Sequence, residues 1–220
     1  LSKGETFNDT MDTLISMKPD ALIIRDKNNF SPHEIYQKHK IPILNAGDGT
    51  NEHPTQALLD LCVIKSIFKD KKIKIGICGD IKHSRVAHSN IKLLSKLNHE
   101  IHIIAPNYFL DKKELTKINS KLVFHKSLSK LPKLDVIMML RVQKERISKN
   151  AKSYMNSFKK DFCLNLNHLK NQPYLMHPGP VNRNIEIDSK VLDSYSKSLI
   201  LRQVDMGVYL RMACLDFILK

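Results

Sequence analysis

Residues Asn45–Leu61 read NAGDGTNEHPTQALLDL, and this stretch changes from a loop pattern to a helix pattern halfway along. The glycines, asparagines and aspartate of its first half favour a turn whose backbone amides can bind a ligand. Pro54 suits the first turn of a helix, because its missing N–H is not needed there, and the leucines that follow form an apolar stripe.

His53 is therefore predicted to lie just ahead of a helix N-terminus. The positive end of the helix dipole disfavours a charged imidazole there, so one interpretation is a neutral ring that donates a hydrogen bond and polarises a carbonyl group. The alternative is a capped helix start with a histidine in the preceding loop.

Alternating helix and strand patterns extend in both directions from this stretch. Residues 1–52 read as helix, strand, helix, strand, which is half of a parallel α/β layer. After a lysine-rich run at 69–72, a second unit has strands predicted at 73–78, 101–105, 122–124, 136–140 and 174–176. This alternation predicts an α/β fold built on mostly parallel sheets.

The predicted organisation is an incomplete first domain with a linking helix at 1–68, an α/β domain at 69–202 and a C-terminal helix at 203–220. That helix has a broad apolar face, including Val204 and Val208, and is expected to pack back toward the first domain. The polar, irregular residues 141–160 predict a mobile loop.

Composition narrows the class of protein. The net charge is +14, but only seven of the 36 basic residues are arginine and tryptophan is absent, which favours small anionic substrates over nucleic acid. The longest apolar runs are too short to cross a membrane. The four cysteines lie among apolar neighbours without a Cys-x-x-Cys pair, which predicts buried free thiols in a reducing cytoplasm.

No cofactor or metal is predicted. The segment Gly76–Gly79 invites a dinucleotide-binding interpretation, but it lacks the third glycine of that motif, and Asp80 would face a pyrophosphate with negative charge. Asp80 is instead expected to end the strand and orient a neighbour. The histidines lack the His/Cys spacing typical of zinc sites.

Four more blocks accompany Asn45–Leu61 in order along the chain: KGET at 3–6, GDIKHSR at 79–85, RVQKER at 141–146 and HPGPVNR at 177–183. Together the five blocks resemble the motifs of the transcarbamoylases, and of the aspartate carbamoyltransferases in particular. The resemblance covers nearly the whole chain. It implies the transcarbamoylase-type fold of two parallel-sheet α/β domains, and transfer of a carbamoyl group from carbamoyl phosphate to L-aspartate.

The resemblance also implies roles at the carbamoyl phosphate end of a site. His53 and Arg25 would bind the carbonyl oxygen, and Gln56 would hold the amide nitrogen. Peptide carbonyls of a loop would accept hydrogen bonds from the same NH₂ group, and this loop comprises Pro178, Gly179 and Pro180. A loop whose carbonyls turn inward between prolines also predicts a cis Gly179–Pro180 bond.

At the aspartate end, the resemblance implies that Arg85 clamps the α-carboxylate and that Arg141, assisted by Gln143, clamps the β-carboxylate. Arginine suits this task because its planar guanidinium pairs with both oxygens of a carboxylate. Lys3 would reach phosphate and aspartate from a neighbouring subunit. The catalytic set implied is therefore His53, Arg25 and Lys3.

One expected block is missing. Aspartate carbamoyltransferases carry a Ser-Thr-Arg-Thr phosphate-binding block upstream of KGET, and it does not occur in this sequence. The chain is therefore expected to be truncated at its N-terminus by roughly 70–80 residues, the remainder of a full α/β layer.

Two other functions stay open at this point. One is ornithine carbamoyltransfer, although that family carries Cys in place of Thr55 and a His-Cys-Leu-Pro block in place of HPGP at 177–180. The other is a non-catalytic scaffold that keeps the fold. The expected assembly is a cytoplasmic homotrimer with shared active sites, with no prediction about a regulatory chain.

Overall fold

The computed structural model describes residues 4–143 and 158–220, and the strands of these residues form two parallel sheets. The first sheet pairs β1 (Leu22–Asp26) with β2 (Ile43–Asp48). The second has the order β5 (Val123–His125), β4 (Glu100–Ile104), β3 (Lys74–Cys78), β6 (Val136–Met139) and β7 (Tyr174–Met176). Every pairing in both sheets is parallel, which confirms the predicted α/β class.

Helices connect and cover these strands: α1 (Phe7–Ser16), α2 (Pro32–His39), α3 (Pro54–Phe68), α4 (Arg85–Lys96), α5 (Lys112–Ile118), α6 (Ser189–Ser194) and α7 (Ile200–Ile218). The predicted start of α3 at Pro54 is confirmed. The short helix α6 and the first turn of α7 were not predicted. Most of the predicted loop at 141–160 lies outside the described residues.

The order of strands in the five-stranded sheet reverses between β3 and β6. Three strands lie on one side of this point and two on the other, so the connections that follow β3 and β6 diverge and leave a crevice at the carboxyl ends of the strands. Open parallel sheets bind their ligands in such a crevice. Here β3 leads into residues 79–85 and β6 into residues 140–143.

Apolar side chains cover both faces of the five-stranded sheet. On one face, residues of α3 and α4, including Val63 and Ile91, pack against strand residues such as Ile75. On the other face, Phe109 and Phe158 belong to a second cluster. The two-stranded sheet has only a small cluster of its own, formed by Met11, Ile24 and Ile35.

Helix α7 packs against α3 and β2, and only part of the predicted apolar face is covered. The buried positions of α7 are Gln203 and Gly207, whereas Val204 and Val208 are 67% and 59% exposed. The prediction is wrong at these two valines because the buried side of α7 carries Gln203 instead, whose Nε2 donates to Asp60 of α3 and whose Oε1 accepts from the His177 backbone N–H. Hydrophobic periodicity alone does not detect this kind of interface.

The four cysteines are free thiols, but the prediction that all are buried is wrong. Only Cys78, in the central strand β3, is fully buried, and this burial raises the pKa of its thiol. Cys62, Cys163 and Cys214 are half-buried, because apolar neighbours in sequence do not place a residue on the covered side of its element. Over the described ranges, no helix is long and apolar enough to span a membrane.

Candidate active site

A cavity of about 470 Å³ opens where residues following strands of both sheets meet. Nine of the ten predicted site residues line it: Arg25, His53, Gln56, Arg85, Arg141, Gln143, Pro178, Gly179 and Pro180. The tenth, Lys3, lies outside the described residues. A cavity of about 570 Å³ beside Lys92 and Lys96 is lined by none of them.

Each segment reaches the cavity from the end of a strand or the start of a helix. Arg25 is near the end of β1, His53 directly precedes α3, and Arg85 is the first residue of α4. Arg141 and Gln143 follow β6, and the loop 177–180 follows β7. Segments that are far apart in the sequence converge because the carboxyl ends of parallel strands lie at the same edge of a sheet.

The lining is strongly positive. Four arginines face the cavity: Arg25, Arg85, Arg141 and Arg211. None of the described residues that line the cavity carries a carboxylate. Concave sites lined with charges of one sign concentrate ligands of the opposite sign, so this cavity suits molecules with several negative charges.

The turn that carries His53 is built around buried Asp48. This carboxylate accepts hydrogen bonds from Asn45 Nδ2 (3.2 Å), Asn51 Nδ2 (2.9 Å) and the Glu52 backbone N–H (2.8 Å). The His53 backbone N–H donates to Ser89 Oγ of α4 at 2.8 Å. The sequence pattern indicated only that Asp48 lies in a turn, whereas the structure shows that its carboxylate holds this turn together.

His53 stands at the N-terminal end of α3, but its side chain makes no capping hydrogen bond to the helix. Burial, followed by the positive charges of Arg85, Arg25 and Arg211, lowers the pKa of His53 to about 4. The ring is therefore neutral at pH 7, as predicted. Thr55 Oγ1 lies 3.4 Å from His53 Nδ1, and a hydroxyl that donates there leaves the ring proton on Nε2.

Arg85 lies against Gly47 and reaches back to the first sheet. Its Nη1 donates to the Asp26 carbonyl oxygen at 3.3 Å. A Cβ atom at Gly47, whose φ is +123°, would lie 2.6 Å from Arg85 Cζ. Only glycine allows both this backbone conformation and this close approach, so Gly47 makes the position of the guanidinium possible.

The connection after β3 is held by Asp80, which confirms that this residue orients a neighbour. Its fully buried carboxylate accepts from the His83 backbone N–H at 3.2 Å and lies 2.9 Å from His83 Nδ1. Gln143 Nε2 in turn donates to the His83 carbonyl oxygen at 2.8 Å. The segments after β3 and β6 are thereby joined beside the cavity.

The loop 177–180 contains the cis Gly179–Pro180 bond, which confirms that prediction. Buried His177 shapes the loop from within, because its Nδ1 accepts from the Gly179 backbone N–H at 2.8 Å. The His177 backbone N–H donates to Gln203 Oε1 of α7, also at 2.8 Å. The loop is thus tied to a helix that packs on α3.

Three further residues that line the cavity were not predicted: Ser84, Val86 and Arg211. Ser84 caps α4 by accepting from the Ala87 backbone N–H at 3.1 Å. Arg211 follows Gln203 and Gly207 at intervals of four residues, on one side of α7. That non-apolar stripe was the available signal.

Comparison with known proteins places the chain in a family. Residues 1–66 match the carbamoyl-P binding domain, and residues 71–218 the Asp/Orn binding domain, of aspartate/ornithine carbamoyltransferases. The chain therefore belongs to the aspartate/ornithine carbamoyltransferase family. The predicted division at residue 68 stays a prediction.

Within the family, the chain is similar to aspartate carbamoyltransferase catalytic subunits. It is 44% identical to that of Pelagibacter ubique, over 98% of this chain and 69% of the relative, and 42% identical to that of Campylobacter jejuni, over 97% and 72%. A Trypanosoma cruzi aspartate transcarbamoylase crystallised with N-(phosphonacetyl)-L-aspartic acid superposes with a TM-score of 0.83 at 32% identity, covering 97% of this chain and 70% of that one.

Proposed function

We propose that this protein transfers the carbamoyl group of carbamoyl phosphate to the amino group of L-aspartate, giving N-carbamoyl-L-aspartate and phosphate. The observation that carries the proposal is the convergence of nine predicted residues in one cavity lined by four arginines. Both substrates are anions, and their charged groups are the ligands that guanidinium groups pair with best.

The reaction develops negative charge on the carbonyl oxygen. The aspartate nitrogen bonds to the carbonyl carbon, the C–O bond to phosphate breaks, phosphate leaves with that electron pair, and the attacking nitrogen loses a proton. His53 and Arg25 act as the donors to the carbonyl oxygen. Because His53 is neutral at pH 7, it serves as a fixed hydrogen-bond donor, and such a donor stabilises the transition state more than the ground state.

The remaining residues orient the two substrates. Gln56 and the carbonyls of the loop 177–180 hold the NH₂ of the carbamoyl group. Arg85 binds the α-carboxylate of aspartate, and Arg141 with Gln143 binds its β-carboxylate. Holding both reactants in one geometry turns a bimolecular encounter into an effectively unimolecular step.

The acceptor preference follows from charge. Ornithine would bring a cationic side chain into a cavity with four arginines and, along its described lining, no carboxylate, whereas aspartate brings a second anion. The test is an assay for carbamoylated product with aspartate and ornithine offered in parallel at equal concentration. Carbamoylation of ornithine in preference would overturn the acceptor assignment, and no product from either would support the scaffold alternative.

We further propose a cytoplasmic homotrimer of pyrimidine biosynthesis in which Lys3 completes the site of an adjacent subunit. A heterologous interface that closes by rotation would give three shared sites. Mixing inactive Lys3→Ala and His53→Ala proteins, after dissociation and reassociation, should restore part of the activity. Mixed trimers that remain as inactive as either parent would show that Lys3 acts within its own chain.

A further inference from the structure

We propose that Asp60, which does not line the cavity, is a positioning residue that orients the hydrogen-bond acceptors for the carbamoyl NH₂ group. The inference rests on the proposed function, because it takes Gln56 and the loop 177–180 as the groups that hold this NH₂. The role of Asp60 would explain why Gln56 and this loop present hydrogen-bond acceptors to the ligand and not donors.

Asp60 is fully buried on α3, and its carboxylate accepts hydrogen bonds from three side-chain amides on three helices. Gln56 Nε2, one turn earlier on α3, donates to Oδ1 at 3.0 Å. Gln203 Nε2 of α7 donates to the same oxygen at 2.7 Å. Asn90 Nδ2 of α4 donates to Oδ2 at 2.8 Å.

The chemistry of a carboxylate decides which end of each amide faces it. Burial raises the pKa of Asp60 to about 6, so the group is ionised at neutral pH and can only accept hydrogen bonds. Gln56 must therefore turn its NH₂ toward Asp60. Its Oε1 is then the polar atom left for a ligand in the cavity that Gln56 lines, and an oxygen is what a carbamoyl NH₂ requires.

The second branch runs through Gln203 to the loop. Because Gln203 turns its NH₂ toward Asp60, its Oε1 accepts the His177 backbone N–H at 2.8 Å. His177 starts the loop 177–180 and fixes Gly179 through its ring at 2.8 Å. One buried carboxylate thus orients both sources of acceptors, although they come from α3 and from the loop after β7.

Without this carboxylate, the Gln56 amide can rotate by half a turn at little cost, since its oxygen and nitrogen are almost equal in size. A rotated Gln56 would point a donor at the donor of the substrate. The resulting unsatisfied NH₂ would lower the affinity for carbamoyl phosphate by about tenfold. Acetyl phosphate, in which a methyl group replaces the NH₂, has no such donor, so its affinity should change little.

The test measures the affinities of carbamoyl phosphate and acetyl phosphate by calorimetry for the full chain and for Asp60→Ala. Asn90→Ala is the matched control, because it removes a buried hydrogen bond from the same carboxylate but leaves Oδ1 and both glutamines in place. If Asp60→Ala does not fold, Asp60→Ser replaces it, since its hydroxyl fills part of the space but is too short to hold both amides. Circular dichroism checks the fold of each variant.

We expect carbamoyl phosphate to bind about tenfold more weakly to the Asp60 variant, while the affinity for acetyl phosphate changes by less than about twofold. In Asn90→Ala, the ratio of the two affinities should stay as it is in the unmodified protein. Equal weakening of both ligands, or no weakening of either, would overturn the positioning role. Failure of the unmodified protein to bind carbamoyl phosphate would instead refute the proposed function itself.

Discussion

Replacing His53 by asparagine should change how the free energy of unfolding depends on pH. In the folded protein, burial and three arginines hold the pKa of His53 at about 4, against an ordinary value of 6.5. Between these values the unfolded chain binds a proton that the folded chain excludes. The unmodified protein therefore loses stability through this residue as the pH falls from 6.5 toward 4, and the loss is absent above 6.5.

The magnitude follows from the two pKa values. At pH 5 the unfolded histidine is almost fully protonated, while the folded one remains about nine-tenths neutral. The penalty at pH 5 is therefore about 2 kcal/mol. Buried Asp60 has the opposite effect, because its raised pKa makes the folded state bind more protons between about 4 and 6. The contributions of Asp60 and His53 partly cancel in the unmodified protein, so the contribution of His53 appears only when this protein is compared with the variant.

The assay is urea unfolding of the unmodified protein and His53→Asn at pH 7.5 and pH 5, at equal protein concentration. Between pH 7.5 and pH 5, the free energy of unfolding of the variant should rise by about 2 kcal/mol relative to that of the unmodified protein. His33→Asn, a change at an exposed histidine of α2, controls for the loss of one imidazole. A difference that is the same at both pH values would refute the account of His53 as a histidine held neutral by burial and arginines.

Three further predictions concern catalysis and binding. Arg141→Ala should weaken aspartate binding by about 1.5–3 kcal/mol and carbamoyl phosphate far less, as measured by calorimetry with each substrate, and equal losses would contradict the assignment. His53→Ala should lower turnover about 100-fold in a steady-state assay while circular dichroism shows an intact fold, whereas unchanged turnover with lost stability would favour a structural role. Gly47→Ala should raise KM for aspartate about tenfold, because the new Cβ would displace the Arg85 guanidinium, and an unchanged KM would show that this guanidinium does not bind substrate.

The elements with strong local signals could be predicted from the sequence. Pro54 and the leucine stripe after it specify the start and length of α3, and short, mostly apolar runs specify β3 and β6. The neutral state of His53 was also predicted, but only from the helix dipole. Burial and the arginines that lower its pKa come from segments as distant as α7, so no local pattern contains them.

The polar interior could not be predicted in this way. Asp60 and Gln203 are 143 positions apart, and each looks like an exposed polar residue when its helix is considered alone. Their burial becomes apparent only when α7 packs on α3. The same packing brings Arg211 to the cavity and leaves Val204 exposed, so a single interface accounts for a missed site residue and a wrong apolar face.

The attachment of His53 to α4 has a mechanical consequence. Its backbone N–H bonds to Ser89, and the adjacent Glu52 bonds to both Ser89 and Lys92, so this turn is fastened to the five-stranded sheet although the chain enters it from β2. Arg25 stays on β1. The same turn is also held to the first sheet, because the Gly49 backbone N–H donates to the carbonyl oxygen of Asp26, at the end of β1, at 3.1 Å. His53 and Arg25 are therefore held in place by one set of hydrogen bonds that spans both sheets, and a rotation of one sheet against the other would have to break part of that set.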